Sequence, residues 1–239
     1  MDQRAFEEAV RSSWVVRESQ AAKKLLSGRS DTGGRGAVTG GAHLDALTEL
    51  LANVFRDAGF PSDDVRCKSG VELPGYFRPT KQWDLVVLHE GELFAAIELK
   101  SHVGPSFGNN FNNRNEEAIG SAVDVWHAYE HGLLGPLRPW LGYVLLLEEA
   151  EGSTRTGRPR SGMLPVDPVF ADTSYLDRYA IFCKRLMDAG LYDATCLVTS
   201  SRETDAPIRQ PDPEIGFAAF VGAITARIEQ VTVPRQRRN

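Results

Sequence analysis

The chain has 239 residues, of which 42% are hydrophobic and 25% charged, and its formal net charge is −5 at pH 7. That profile suits one soluble globular domain spanning 1–239, large enough to bury a core without staples. The acidic balance argues, taken alone, against a nucleic-acid partner. Bulk charge is not a footprint, however: residues 1–40 carry seven Lys/Arg against five Asp/Glu, Arg155, Arg158 and Arg160 share one segment, and Arg235, Arg237 and Arg238 form a basic tail at 234–239.

Three cysteines, Cys67, Cys183 and Cys196, lie far apart with no Cys-x-x-Cys pair, which indicates neither a zinc site nor a disulfide framework. The polar start Met1-Asp2-Gln3-Arg4 is unlike a secretory leader, and no apolar run approaches membrane-spanning length. A reduced, cytoplasmic protein without a membrane partner is the expectation.

In chain order, Phe6, Val10, Trp14, Ala21 and Leu25 predict a helix over 4–26. The Gly-rich segment 27–41 is predicted as a loop, either a mobile arm or a segment that orders on DNA. It lacks the Gly-Lys-Ser/Thr ending of a phosphate-binding P-loop. Leu44, Leu47, Leu51, Val54, Phe55 and Ala58 predict a helix over 42–58 that stops at Gly59. Runs at 83–89 and 93–100, split by Glu90-Gly91-Glu92, form a hairpin signature. An Asn-rich loop is expected at 105–115, then a helix over 116–131, a buried strand over 141–147, an Arg-containing loop over 151–165, a helix over 174–189, a second buried strand over 194–200 and a last helix over 214–229. That order predicts an α/β fold with a mixed central sheet flanked by helices.

The hairpin carries the chemistry. In Ala96-Ile97-Glu98-Leu99-Lys100, alternation puts Glu98 and Lys100 on one face of an otherwise buried strand, where two charges are expensive unless paired or used. With a three-residue loop, Asp84 falls opposite Glu98, Cβ atoms ~5 Å apart. A two-residue loop shifts the register by one and turns Asp84 away, and a bulge restores it. Two facing carboxylates repel unless a hard cation such as magnesium sits between them. Lys100 could offset that charge or position an attacking water. The pattern Asp-x(13)-Glu-x-Lys matches the PD-(D/E)XK nuclease motif, with Trp83 where that motif has Pro. By itself the motif is loose, and for the triad taken alone a surface salt-bridge ladder is the favoured reading.

More specific are Trp83-Asp84-Leu85-Val86-Val87, Ala95 to Ser101, the block Gly108-Asn109-Asn110-Phe111-Asn112-Asn113-Arg114, Glu116 to Ser121, and, upstream, Arg35 to Gly41. Together they resemble the XhoI family of type II restriction endonucleases over most of the chain. The resemblance implies a restriction-endonuclease-like core and a homodimer that cuts both strands of double-stranded DNA at the palindrome CTCGAG with Mg2+. It implies catalysis by Asp84, Glu98 and Lys100, and a metal held by Asp84, Glu98 and Leu99. A cognate methyltransferase would protect host DNA without forming a stable complex. A repair or junction nuclease, or a non-catalytic DNA-binding relative, are the alternatives.

Asn109, Asn110, Asn112, Asn113 and Arg114 follow the catalytic strand as a dense set of donors. Asn matches adenine edges and Arg guanine edges, while helix capping is the competing reading of the asparagines. Arg155 and Arg158, with Arg160, could grip DNA or simply be solvated. His102 continues the Glu98–Lys100 face and reads either as a phosphate contact or as structural. Glu49, opposite the apolar stripe of its helix, is expected in solvent.

Overall fold

The computed structural model describes residues 2–26, 41–159, 163–203 and 205–232. Most of the Gly-rich segment, Arg160 and the basic tail lie outside the described residues.

A five-stranded mixed sheet organises the chain. Its order is β1 (Val65–Arg66), β4 (Leu85–His89), β5 (Glu92–His102), β6 (Trp140–Glu148) and β7 (Ala194–Ser200). The β1–β4 and β4–β5 pairs are antiparallel, and β5–β6 and β6–β7 are parallel. A separate two-stranded ribbon pairs β2 (Glu72–Pro74) with β3 (Thr80–Gln82). The strands β6 and β7 are buried along their whole length, as their unbroken apolar runs require of strands covered on both faces.

Each face of the sheet has its own helix layer. On one side α1 (Gln3–Leu26), α2 (Asp45–Asp57) and α6 (Phe217–Thr232) pack onto Leu85, Val87, Phe94, Ile97, Leu99, Val144 and Val198. On the other, α3 (Phe107–Glu130) and α5 (Tyr175–Asp188) cover Val86, Ala96, Leu141, Tyr143, Leu145 and Leu197. The expected mixed sheet between helices is the observed fold. The helix expected over 42–58 begins as a 3-10 turn at Gly41–Leu44 before α2, and the last helix starts at Phe217, after a 3-10 turn at Pro213–Ile215.

Two expectations need correction. Residues 107–115 are not a loop but the first turns of α3. Asparagine has poor helix propensity, but tertiary packing overrides it. Phe107, Phe111, Ala118, Ala122 and Val125 make a stripe that packs against Tyr175 and Tyr179 of α5 and on the sheet. Phe107 is wedged so closely that a Cβ added at Gly104 or Gly152 would meet its ring at 2.9 and 2.8 Å. The Arg-containing loop likewise opens with a helical turn, α4 (Glu151–Thr154), because Ser153 Oγ accepts the Ala150 N–H at 2.9 Å and closes it. The short strands β1, β2 and β3 were not expected.

Candidate active site

The hairpin geometry settles which face Asp84 shares. The turn has two residues, Glu90 and Gly91, with His89 paired to Glu92 and Leu88 to Leu93. Left alone, that register would turn Asp84 away from Glu98. Instead it shifts at Val87, which pairs with Ala95 and leaves Phe94 as an extra residue in β5. Consecutive Phe94 and Ala95 therefore both enter the α1–α2–α6 core, whereas Leu93 and Ala96 face α3. From the bulge onward Val86 faces Ala96 and Leu85 faces Ile97, and continuing that register by one residue brings Asp84, just before β4, level with Glu98. The side chains of Asp84, Glu98 and Lys100 thus share the α3 face, at the start of β4 and the second half of β5.

Asp84 Oδ2 accepts the Leu99 N–H at 2.7 Å. A strand residue directs its N–H and C=O to the same edge, so the Leu99 carbonyl also projects toward Asp84. Glu98 is buried and carries two ammonium groups: Lys100 on Oε1 and Lys81 on Oε2. Lys81 comes from β3 and lies 4.1 Å from the centre of the Trp83 ring. It is the site residue that sequence reasoning missed. It lies on β3, three residues before Asp84, and its side chain reaches Glu98 Oε2.

The charges follow from these contacts. Burial, reinforced by Glu98, holds the Asp84 carboxyl above the usual carboxylate range. Burial would also raise Glu98, but Lys100 and Lys81 outweigh it and the net direction is down. Burial presses on both lysines: it prevails at Lys81, whose pKa is lowered, while at Lys100 the pull of Glu98 and Asp84 prevails and the pKa is raised. Lys100 therefore stands as an ammonium in this arrangement.

His102 sits farther along the same face and is buried. Its Nδ1 lies 2.6 Å from the Tyr179 hydroxyl, its ring tilts against Phe107, and its Nε2 is buried without a partner among the described residues. Burial first, then Arg114, pushes its pKa down to about 4. A histidine with a depressed folded pKa favours the fold while neutral. As pH falls below ~6.5 the unfolded chain gains a proton that the native ring refuses. Stability is thus expected to fall between about pH 6.5 and pH 4, by up to about 3 kcal/mol from this group. Thermal melts across that window should show the loss in the wild type and a shallower one in His102→Gln; equal slopes would refute the assignment.

Asn109, Asn112 and Asn113 form an exposed stripe on α3, Asn110 is half-buried, and Arg114 pairs with Glu117. The asparagines lie inside the helix, and the Ser106 cap makes no side-chain bond, so capping does not account for them. Arg155 is exposed, and Arg158 is exposed with an ion pair to Asp172 at 3.0 Å. Neither arginine is joined to the triad by any contact. Glu49 is solvent-facing and pairs with Arg56, as its helix position led us to expect. Among the described residues no three His, Cys, Asp or Glu side chains gather into a metal cage. The acidic donors of this site are the two carboxylates of Asp84 and Glu98.

A family model described as restriction endonuclease XhoI matches residues 23–223, which takes in the hairpin, the Asn block and both parallel strands. The chain belongs to the XhoI restriction endonuclease family. Among its relatives, the type II restriction enzyme BstVI of Geobacillus stearothermophilus is 43% identical over 186 residues, 75% of this chain and 83% of that protein. The type II restriction enzyme XhoI of Xanthomonas vasicola is 47% identical over 165 residues, 68% of this chain and 66% of its own length. The type II restriction enzyme AbrI of Azospirillum brasilense is 43% identical over 155 residues, 64% and 69% respectively. No solved structure matches the chain. As a member of the XhoI family, the protein is a type II restriction endonuclease, a site-specific deoxyribonuclease whose substrate is double-stranded DNA. No helix among its described residues is long and apolar enough to cross a membrane.

Proposed function

We propose that the enzyme, as one nuclease domain per protomer of a homodimer, makes a double-strand break at CTCGAG by magnesium-dependent hydrolysis, using Asp84, Glu98 and Lys100. The observation that carries this reading is the convergence of two carboxylates and a lysine on one face of β4–β5, with the Leu99 main chain turned to the same edge. The target sequence rests on the resemblance to the XhoI family. A two-fold dimer matches the symmetry of a palindrome.

The donor set fits the metal. Asp84 and Glu98 are oxygen ligands of the kind magnesium accepts, the Leu99 carbonyl is a third, and Glu98 already draws two cations. When bound there, the ion would lower the pKa of a water and neutralise charge building on the phosphate. The chain does the rest by position. Hydrolysis joins a water oxygen to phosphorus and breaks one P–O ester bond, so one proton leaves the water and one reaches the departing sugar oxygen. Asp84 is fixed by the Leu99 N–H and Glu98 by the lysines, so both carboxylates are held before substrate arrives. Lys100, as an ammonium, donates toward the attacked phosphate's oxygens, where negative charge grows. Asn109, Asn112 and Asn113, on the open stripe of α3, are proposed to donate to base edges or phosphates, with Asn110 and Arg114 beside them. Arg155 and Arg158 are proposed to touch the backbone farther out.

A cytoplasmic location is proposed, with a methyltransferase of the same specificity shielding host DNA. The three cysteines are unpaired, as a reducing compartment leaves them. Digestion of a plasmid with a single CTCGAG in magnesium is the direct test. One linear product whose ends map to that sequence is expected. Cutting of branched DNA in preference to the plasmid would overturn the reading in favour of a junction nuclease.

A further inference from the structure

Across β5 from Lys100, a second cationic group is assembled from parts the triad does not use. Ser101 points to the face opposite Lys100, toward α1. There Arg17 of α1 donates through Nη2 to Ser101 Oγ at 2.5 Å and contacts His43 Nε2 at 2.9 Å. His43, in the 3-10 turn Gly41–Leu44, also lies 2.7 Å from Ser101 Oγ. An arginine only donates, so in this contact His43 Nε2 is the acceptor, its one lone pair lying between the guanidinium and the Ser101 hydroxyl. Residues distant in sequence, Ser101 on β5 and His43 in the 3-10 turn, thus meet one guanidinium of α1.

That guanidinium has no anion of its own. Among the described residues no carboxylate lies within ion-pair distance of Arg17, and its Nε and Nη1 hydrogens meet no acceptor. Glu148, the acid whose charge acts on it, is already committed. It accepts from Arg202 Nε at 2.6 Å and from the Gly104 N–H at 2.9 Å. Arg202 and Arg114 add positive charge that acts on Arg17, and the charge of Arg114 acts on Lys100 as well. Glu18 faces Arg202, and Glu117 holds Arg114, both at the exposed rim. A half-buried charge without a partner is costly, and the arrival of an anion offsets that cost.

We propose that Arg17, braced by Ser101 and His43, binds a DNA backbone phosphate flanking the one that is cut. This rests on the reading of Lys100 and its carboxylates as the cutting site. Ser101 follows Lys100 directly in β5, so the guanidinium it holds lies beside the strand end that carries the triad, on the opposite face. A duplex that lays its cut phosphate at Lys100 carries further phosphates past that strand end, one per ~3.4 Å of helix axis on each strand. The open edge of the guanidinium presents paired donors, a geometry that suits phosphate oxygens.

The test is equilibrium binding of a CTCGAG duplex between 50 and 200 mM salt, roughly the range over which phosphate contacts are read, with calcium replacing magnesium to keep the strands whole. Arg17→Gln is expected to make the slope of log affinity against log salt shallower by about 1, and to weaken binding about tenfold at low salt. Arg17→Lys is expected to keep the wild-type slope. A wild-type slope in Arg17→Gln would overturn the proposal whatever its Tm, because a purely structural brace moves Tm and leaves counterion release alone. Should the glutamine variant fail to fold, Ser101→Ala loosens the guanidinium without removing it. Weaker binding is then expected, and unchanged affinity would overturn the proposal. A wild type that binds no duplex at all would sink the underlying DNA reading, an outcome separate from either of these.

Discussion

Asp84→Asn is expected to abolish measurable plasmid cleavage, a fall of about a thousandfold or more, while leaving the fold at least as stable as the wild type near neutral pH. The loss follows from removing half of the anionic donor set, since a carboxylate-held cation contributes several kcal/mol to the transition state. The stability result follows from the local electrostatics. Burial and Glu98 hold the Asp84 carboxyl above its ordinary pKa, so its ionised form is disfavoured in the fold. For an acid raised in this way, the native state is favoured most at pH below the unfolded pKa and loses ground as pH rises through the folded one. Asparagine removes that charge yet keeps an oxygen for the Leu99 N–H, the contact that orders the strand end. Melts of both proteins at pH 7.5 and near pH 4 check this: Tm should be equal or higher for the variant at pH 7.5, and the gap should shrink in acid. A much lower Tm at pH 7.5 would show that Asp84 stabilises the fold, against the charge argument.

Lys100→Ala should lower cleavage by about two to four orders of magnitude, the range for loss of a group that handles charge or protons in the transition state. Unlike Asp84→Asn, it should also destabilise. Glu98 keeps Lys81 on one oxygen, but the other is left buried beside Asp84 without its cation. Removing one member of a buried ion pair commonly costs about 3–5 kcal/mol, and the remaining lysine should keep the loss at or below that. Lys81→Ala offers the comparison. A similar loss of stability with a smaller loss of cleavage is expected, because Lys81 serves Glu98 from the ribbon side. Equal losses of cleavage would make Lys81 a full partner in the chemistry. Single-turnover cleavage at saturating enzyme, with duplex binding in calcium, separates a chemical defect from a binding one. Undiminished cutting by Lys100→Ala would refute the proposed site.

What could be read from the residues alone divides along physical lines. Helix α5 was legible because its apolar residues recur at the helical period and Gly190 follows its end, and strands β6 and β7 because each is an unbroken apolar run of strand length. The triad was legible because charges stood out on an apolar strand. The start of α3 was not: local propensity argues against a helix through Asn109–Asn113, and the deciding contacts of Phe107 and Phe111 with Tyr175 and Tyr179 come from residues more than 60 positions away. Strands of two or three residues, such as β1 and β3, carry no period to detect. Lys81 and Arg17 were hidden for a related reason. Each is a single cation whose local sequence names no partner, and only tertiary folding shows what it touches.

The extra residue at Phe94 also bears on how this hairpin tolerates changes of length. A two-residue turn with a bulge and a three-residue turn without one present the same face of β4 to Glu98, so the two are interchangeable solutions to one geometric requirement. A single insertion at Glu90–Gly91, or a single deletion at Phe94, taken separately would disconnect the carboxylates while leaving both strands apolar enough to pair. Made together, the two changes would reconnect them. Length variation here should therefore be tolerated in compensating pairs, and a library of hairpin variants selected for cleavage should return those pairs far more often than either single change.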